Sequence, residues 1–256
     1  MSFPVIELGP ASLDLSIVIP VKNEAANVAS LAGEIDEVFA GSRRSWECLW
    51  IDDGSDDTTL DELIRLHQAS SHHDFIQLDG HLGQSAALAA GFSRARGLII
   101  ATLDGDGQND PADLPPLLAL LQDRDADMVN GWRRQRQDHL LRKISSSIAN
   151  SFRNRLTGER IRDVGCSLRA MRRDCLEHIL VFQGMHRFLP TLVRLNGFDR
   201  ILEVPVGHRP RRHGKTKYGI HDRLWVGIAD TMGVRWLSRR VASRRVRRSS
   251  LPPSQE

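Results

Sequence analysis

The sequence predicts an α/β fold with a central, mostly parallel sheet flanked by helices. Three observations predict it. Short apolar, β-branched runs alternate with segments of helical spacing through the first half of the chain. Each run closes on a proline or on an acidic cluster with glycine, as buried parallel strands do where they meet their loops. At 256 residues, 41% of them apolar, the chain is long enough to bury one substantial core.

Residues 15–20 (LSIVIP) are the first strand, closed by Pro20. Residues 24–40 follow with Val28, Leu31, Ile35, Val38 and Phe39 on one helical face. Strands at 48–52, 75–78 and 98–103 alternate with helices at 57–71, 84–96 and 110–123. The last of these helices carries prolines in its first turns and an acidic start. The second half is less regular, with strands expected at 128–130, 167–171 and 201–206 and a helix at 139–156. A basic loop spans 208–218, and residues 220–241 form an amphipathic C-terminal helix bearing Leu224, Trp225, Ile228, Met232, Trp236 and Leu237. The expected organisation is an N-terminal extension (1–13), one main domain (14–218), an amphipathic and basic helix (219–248) and a disordered tail (249–256).

The net charge is only +3, but residues 233–248 hold seven arginines and no acid, which suits phosphate groups on a bilayer or on nucleic acid. Three cysteines without CxxC spacing argue against zinc and fit a reducing compartment. No signal peptide is expected, and no run approaches the ~18 apolar residues of a membrane span.

In open parallel sheets, ligands bind beyond the carboxyl ends of the strands. The acidic clusters fall there. Asp104-Gly105-Asp106-Gly107-Gln108 follows one strand, and its paired carboxylates suit a hard divalent cation that would neutralise a diphosphate. Taken alone, this is equally a solvated Asp-Gly turn. Asp52 and Asp53 follow a second strand, where they can accept hydrogen bonds from a base or ribose or cap the next helix. Pro20-Val21-Lys22-Asn23-Glu24 follows the first, with Glu24 either reaching a nucleotide or favouring a helix N-terminus. No G-x-G-x-x-G or Walker A pattern is present, which disfavours the NAD and ATP phosphate loops. The cationic loop from His208 to Tyr218, with Arg211 and Lys217, and the cluster Arg133, Arg134 and Arg136 suit phosphate oxygens.

As a set, I-V-I-P-V-K-N-E (17–24), I-D-D-G-S-D-D-T (51–58), G-Q-S-A-A-L-A-A-G-F (83–92) and L-D-G-D-G-Q-N-D-P (103–111) resemble the family 2 glycosyltransferases with the GT-A fold. R-R-Q-R-Q-D (133–138), G-C-S-L-R-A-M-R-R (165–173) and H-R-P-R-R-H-G-K-T-K-Y (208–218) look most like polyprenyl-phosphate glycosyltransferases such as dolichol-phosphate mannose synthases. The resemblance covers residues 14–232. It implies a nucleotide-sugar site at Pro20, Lys22, Glu24, Ile51, Asp53, Gly105, Asp106, Gln108 and Arg187, with Ile51 beside the base. It implies Mg2+ or Mn2+ on Asp104, Asp106 and Gln108. Catalytic roles fall to Asp104, Asp106, Arg133, Arg211 and Lys217, the basic residues contacting the donor diphosphate or an acceptor phosphate. Two features depart from the pattern: Lys22 stands where an aromatic residue is common, and the paired C-terminal membrane helices of such relatives are missing.

The implied reaction is an inverting transfer from a GDP- or UDP-sugar to undecaprenyl or dolichyl phosphate. A lipid phosphate is ionised near neutral pH, its second pKa lying near ~6, and attacks without a strong base. A glycan or small-molecule hydroxyl acceptor would need one, and Asp163 is the candidate. The C-terminal helix, with tryptophans and then arginines, suits a lipid interface and places the protein on the inner face of the cytoplasmic membrane. A packed helix with a solvated basic end accounts for it equally. In a different class stands a basic nucleic-acid-binding protein, disfavoured because the basic loop lies between strand and helix.

Overall fold

The computed structural model describes residues 4–133, 154–156, 158, 161–210 and 220–240. Strand β1 (Leu13–Val21) leads through α1 (Ala25–Phe39) to β2 (Trp46–Asp52), then through α2 (Thr59–Ala69) to β3 (His73–Gln77). Helix α3 (Gln84–Arg94) returns the chain to β4 (Gly97–Thr102), and α4 (Leu114–Asp123) leads to β5 (Met128–Arg133). Beyond these come β6 (Arg169–Arg172), the short α5 (Leu189–Leu195), β7 (Ile201–Val206) and α6 (Ile220–Ser238).

Among the described residues the strands form one seven-stranded sheet in the order β3-β2-β1-β4-β6-β5-β7. β1 pairs in parallel with β2 and β4, β2 with β3, and β5 with β7, whereas β6 runs antiparallel to both β4 and β5. The sheet is therefore mixed but mostly parallel.

Continuous apolar runs mark β1 and β2 because both faces of these strands are covered. Ile17 and Ile19 enter one core with Val28, Leu31 and Ile35 of α1, while Val18 enters the other with Leu88 and Phe92 of α3. Trp50 and Cys48 face the first core, and Leu49 and Ile51 the second. Gly91 lets α3 lie against the sheet, since a Cβ there would sit 2.4 Å from Val18 Cγ1.

The chain moves outward from β1 to β2 and β3, then crosses to β4 on the other side of β1. The β1–β4 boundary is the topological switch point, where such sheets open a crevice beyond their carboxyl ends. The acidic turn after β4 hangs over that boundary.

Several expectations change. The helix expected at 139–156 lies outside the described residues except for its last turn at 154–156. The C-terminal helix ends at Ser238, and its expected apolar face is divided. Val234 is buried and Leu237 packs against the second core, but Met232 and Trp236 are 53% and 63% exposed. One face docks on the body and the other meets solvent. Near the other terminus, Ile6 is fully buried and its N–H donates to the Ile179 carbonyl at 2.9 Å. The chain before β1 is thereby tied to the domain.

Candidate active site

The turn after β4 is held close to the end of β1. A Cβ on Gly105 would lie 2.4 Å from Val21 Cγ1 and 3.2 Å from the Pro20 carbonyl oxygen, so only glycine allows this approach. Gly107 takes φ +70°, the left-handed region that glycine enters without cost. The Asn109 side-chain oxygen accepts the Asp104 N–H at 3.1 Å, and Asp106 Oδ1 accepts the Gln108 N–H at 3.1 Å. The turn is thus folded back on itself, with its two carboxylates over the β1–β4 crevice.

Asp104 Oδ1 accepts from the Gln84 amide, 3.0 Å away at the start of α3. Burial pushes the Asp104 carboxyl up to about 6, and the Asp106 charge pushes the same way. The Ser167 hydroxyl and the charges of Arg133 and Arg169 pull it back. A desolvated carboxylate beside a second acid is a group that gains by binding a divalent cation. Among the described residues no group of three or more His, Cys, Asp or Glu is arranged around a metal. A magnesium-type ion fits that supply, since it commonly takes one or two carboxylates and draws its other ligands from substrate phosphates and water. Gln108 turns its amide nitrogen to the Arg209 carbonyl at 3.3 Å, so Oε1 is the atom it could offer a metal.

The cationic side is built in two layers. Arg133 at the end of β5 donates to Asp163 from Nε at 2.7 Å and from Nη2 at 2.9 Å. Burial disfavours the Arg133 charge, but Asp163 more than offsets that and holds the group cationic. Asp163 Oδ1 also accepts the Gly165 N–H at 3.2 Å. Asp163, the candidate base had the acceptor been a hydroxyl, is the carboxylate that fixes Arg133. Beneath lies Arg169, which the sequence reading did not single out. Its guanidinium donates to Asn130 Oδ1 at 2.8 Å and to the carbonyls of His186 and Val164 at 2.7 Å each. It is a buried cation behind Asp104 that ties β6 to two loops of the site.

Around β1 and β2, Glu24 is buried and accepts from Asn27 Nδ2 at 2.6 Å. Lys22 Nζ donates to the Gly54 carbonyl at 2.8 Å, and Pro20 is partly exposed at the strand end. Ile51, expected beside the base, is fully buried with its side chain in the core against α3, so the side chain has no face toward a ligand. Asp53 accepts the N–H of Leu82 at 2.7 Å and of Gly83 at 2.9 Å on Oδ1, and His81 Nδ1 at 2.8 Å on Oδ2. Arg187 sits further out and pairs with Asp230 of α6 at 3.2 Å. Arg209, absent from the expected set, bridges Glu34 at 2.5 Å and Asp110 at 2.6 Å, pinning the start of the basic loop. Arg211 and Lys217, together with Arg134 and Arg136, lie outside the described residues.

Paired carboxylates at the switch point, with partly buried Arg133 and buried Arg169 acting on their charge, make a site chemically suited to a metal and phosphate groups. The comparisons agree. The sequence model of glycosyl transferase family 2 matches residues 16–180. Over 231 residues the chain is 38% identical to the dodecaprenyl-phosphate galacturonate synthase of Rhizobium johnstonii, spanning 89% of this chain and 68% of that protein. Over 205 residues it is 39% identical to the undecaprenyl-phosphate 4-deoxy-4-formamido-L-arabinose transferase of Salmonella choleraesuis, spanning 80% of this chain and 62% of that one. Glucosyl-3-phosphoglycerate synthase from Mycobacterium tuberculosis, solved with Mn2+, UDP and glucosyl-3-phosphoglycerate, superposes with a TM-score of 0.65 at 18% identity. That superposition covers 91% of this chain and 82% of that one and shows the GT-A fold. The chain belongs to glycosyl transferase family 2.

Proposed function

We propose that this chain moves a sugar from a nucleotide-sugar donor to a polyprenyl phosphate, using Mg2+ or Mn2+. The observation that carries the reading is the Asp104–Asp106 turn. It places a desolvated acidic pair over the β1–β4 crevice, with Arg133 and Arg169 close enough to act on its charge. The similarity to two polyprenyl-phosphate transferases supports the acceptor.

Asp104, Asp106 and Gln108 Oε1 would hold the metal, which neutralises charge on the departing nucleoside diphosphate. Arg133, held in place by Asp163, presents its remaining guanidinium edge to phosphate oxygens. An acceptor phosphate needs orientation more than activation, because it is already anionic. The geometry at Asp163 agrees, since its carboxylate is engaged by Arg133 and Gly165 rather than poised as a base. Arg211 and Lys217 complete the phosphate contacts in this reading.

Access to a lipid acceptor is assigned to α6. Its outer side carries exposed Met232 and Trp236, and the Arg240 guanidinium lies 5.8 Å from the Trp236 ring centre. An apolar edge with arginines suits the headgroup region of an anionic bilayer, and the reading places the protein peripherally on the cytoplasmic membrane. Among the described residues no helix is long and apolar enough to cross a membrane.

Incubation with labelled nucleotide sugars, Mg2+ or Mn2+ and undecaprenyl phosphate tests the reading. The expected product is a lipid-soluble sugar phosphate that fails to form with chelator. Label that reaches only water-soluble glycans would contradict the acceptor assignment.

A further inference from the structure

We infer that Arg209 is a positioning residue for the metal site: it clamps the chain leaving β7 against the acidic turn and so aims the Gln108 side chain at the cation. This role rests on the metal reading above and adds to it the residue that holds a ligand in place.

Gln108 ends the acidic turn on a long, unbranched side chain, which left to itself samples many rotamers. Arg209 holds it through both backbone and side chain. The Arg209 N–H donates to the Gln108 carbonyl at 2.9 Å, and the Gln108 amide nitrogen donates to the Arg209 carbonyl at 3.3 Å. A carbonyl only accepts, so the amide turns its nitrogen to Arg209 and its Oε1 away from it. Both contacts use Arg209 backbone atoms, and they last only while that backbone stays in place.

The Arg209 side chain keeps it there. Nη1 reaches Glu34 of α1 at 2.5 Å, and Nη2 reaches Asp110, just beyond Gln108, at 2.6 Å. A planar guanidinium serves two carboxylates at once from a fixed fork, which an ammonium does not match. Earlier in the same segment, the Gly207 N–H donates to Asp113 Oδ2 at 2.8 Å. Asp110 also caps the short turn (Pro111–Asp113) that leads into α4, its Oδ1 accepting the Ala112 N–H at 3.0 Å. The clamp therefore joins α1, the approach to α4 and the exit of β7 around the residue that faces the metal.

Charge and geometry make opposite predictions for this arginine. Removing a positive charge beside a cation site should tighten Mn2+ by Coulomb's law. Loss of the clamp should weaken Mn2+ instead, because removing the group that orients a ligand costs about tenfold in metal affinity. The sign of the change separates positioning from electrostatics.

The test is titration calorimetry of Mn2+ alone into the full chain, with circular dichroism and Tm to check folding. It compares wild type, Arg209→Met, Gln108→Ala and the double variant. Arg209→Met keeps an aliphatic stem and removes the guanidinium. Affinity should fall about tenfold in Arg209→Met, with no further fall when the change is made on Gln108→Ala. In transfer assays the Mn2+ concentration for half-maximal rate should rise by the same factor, while kcat at saturating Mn2+ stays within about twofold of wild type. Arg209→Lys, which keeps the charge and reaches one of the two acids, should recover part of the affinity. Unchanged or tighter Mn2+ binding in Arg209→Met overturns this role, as does an equal loss with and without Gln108. No Mn2+ binding by wild type overturns the metal reading itself. Should Arg209→Met not fold, Glu34→Gln carries the same cycle from the far end of the clamp. A loss there that vanishes on Gln108→Ala supports the role, and one that persists in full overturns it.

Discussion

Two acidic turns end neighbouring parts of the same sheet, and they are built in opposite ways. At Asp53 the protein supplies the partners: backbone N–H groups and a histidine surround the carboxylate. At Asp104 it supplies fewer, half-burying the group beside Asp106 with side-chain bonds from Gln84 and Ser167 and guanidinium charges at longer range. A carboxylate satisfied by its own chain does not need a cation. A carboxylate left short of charge is a place for a cation. The contrast teaches that acidic residues at strand ends of an α/β sheet are sorted by what already binds them, which their spacing in the sequence does not reveal.

The comparison breaks most readily at Asp106. Asp106→Ala should lower kcat/KM for sugar transfer on the order of 10^3-fold, since metal stabilisation of the leaving group is lost, while circular dichroism shows a folded protein. Activity near wild type would remove the turn from catalysis. Gly105→Ala comes next. The added methyl must displace Val21 or lift the turn from the Pro20 carbonyl. A shift approaching 1 Å should cost about 10^2-fold in kcat, read in single-turnover assays, with a smaller loss of stability.

A third test uses pH. The folded Asp104 carboxyl is raised to about 6 from an ordinary value of 3.8. Without metal, the stability this group contributes is fully present below the ordinary value and is lost as pH rises through about 6. Metal binding needs the carboxylate and follows the opposite course. Mn2+ affinity, measured by titration calorimetry, should fall about tenfold per unit below pH 6 and level off above it. A flat profile from pH 5 to about 8 would separate the metal from Asp104. The smallest effect on chemistry is expected at Asp53→Asn. Weaker acceptance of two backbone N–H groups should cost about 1–3 kcal/mol in urea unfolding, with Mn2+ affinity unchanged. Equal losses of metal binding at Asp53 and Asp106 would erase the distinction.

Much of this architecture was legible in the sequence. β1, β2, β3 and β4 were readable because strands covered on both faces are nearly continuous apolar runs, and the acidic turns could be placed at their ends. The antiparallel direction of β6 was not, because S-L-R-A-M carries no mark of orientation. The seven-residue α5 (Leu189–Leu195) opens on a proline within its first turn and is too short for a helical period to stand out. Ile51 read as a ligand neighbour because a strand-end position does not say which way its side chain points. The Arg133–Asp163 pair joins residues 30 apart in sequence, so their mutual engagement appears only when β5 and the loop before β6 meet. Arg169 stood only as one letter of the G-C-S-L-R-A-M-R-R motif (165–173). An arginine between Leu168 and Ala170 within a strand was the available signal for its burial.

The central claim is that the Asp104–Asp106 turn takes a metal-bound nucleoside diphosphate while the Asp53 turn is structural support for the site. The most direct measurement is the rise in Tm on adding Mn2+ with UDP or GDP, compared across wild type, Asp106→Ala and Asp53→Asn. The account predicts a metal-dependent rise in wild type, none in Asp106→Ala, and a preserved rise from a lower starting Tm in Asp53→Asn. A full metal-dependent rise in Asp106→Ala would contradict it.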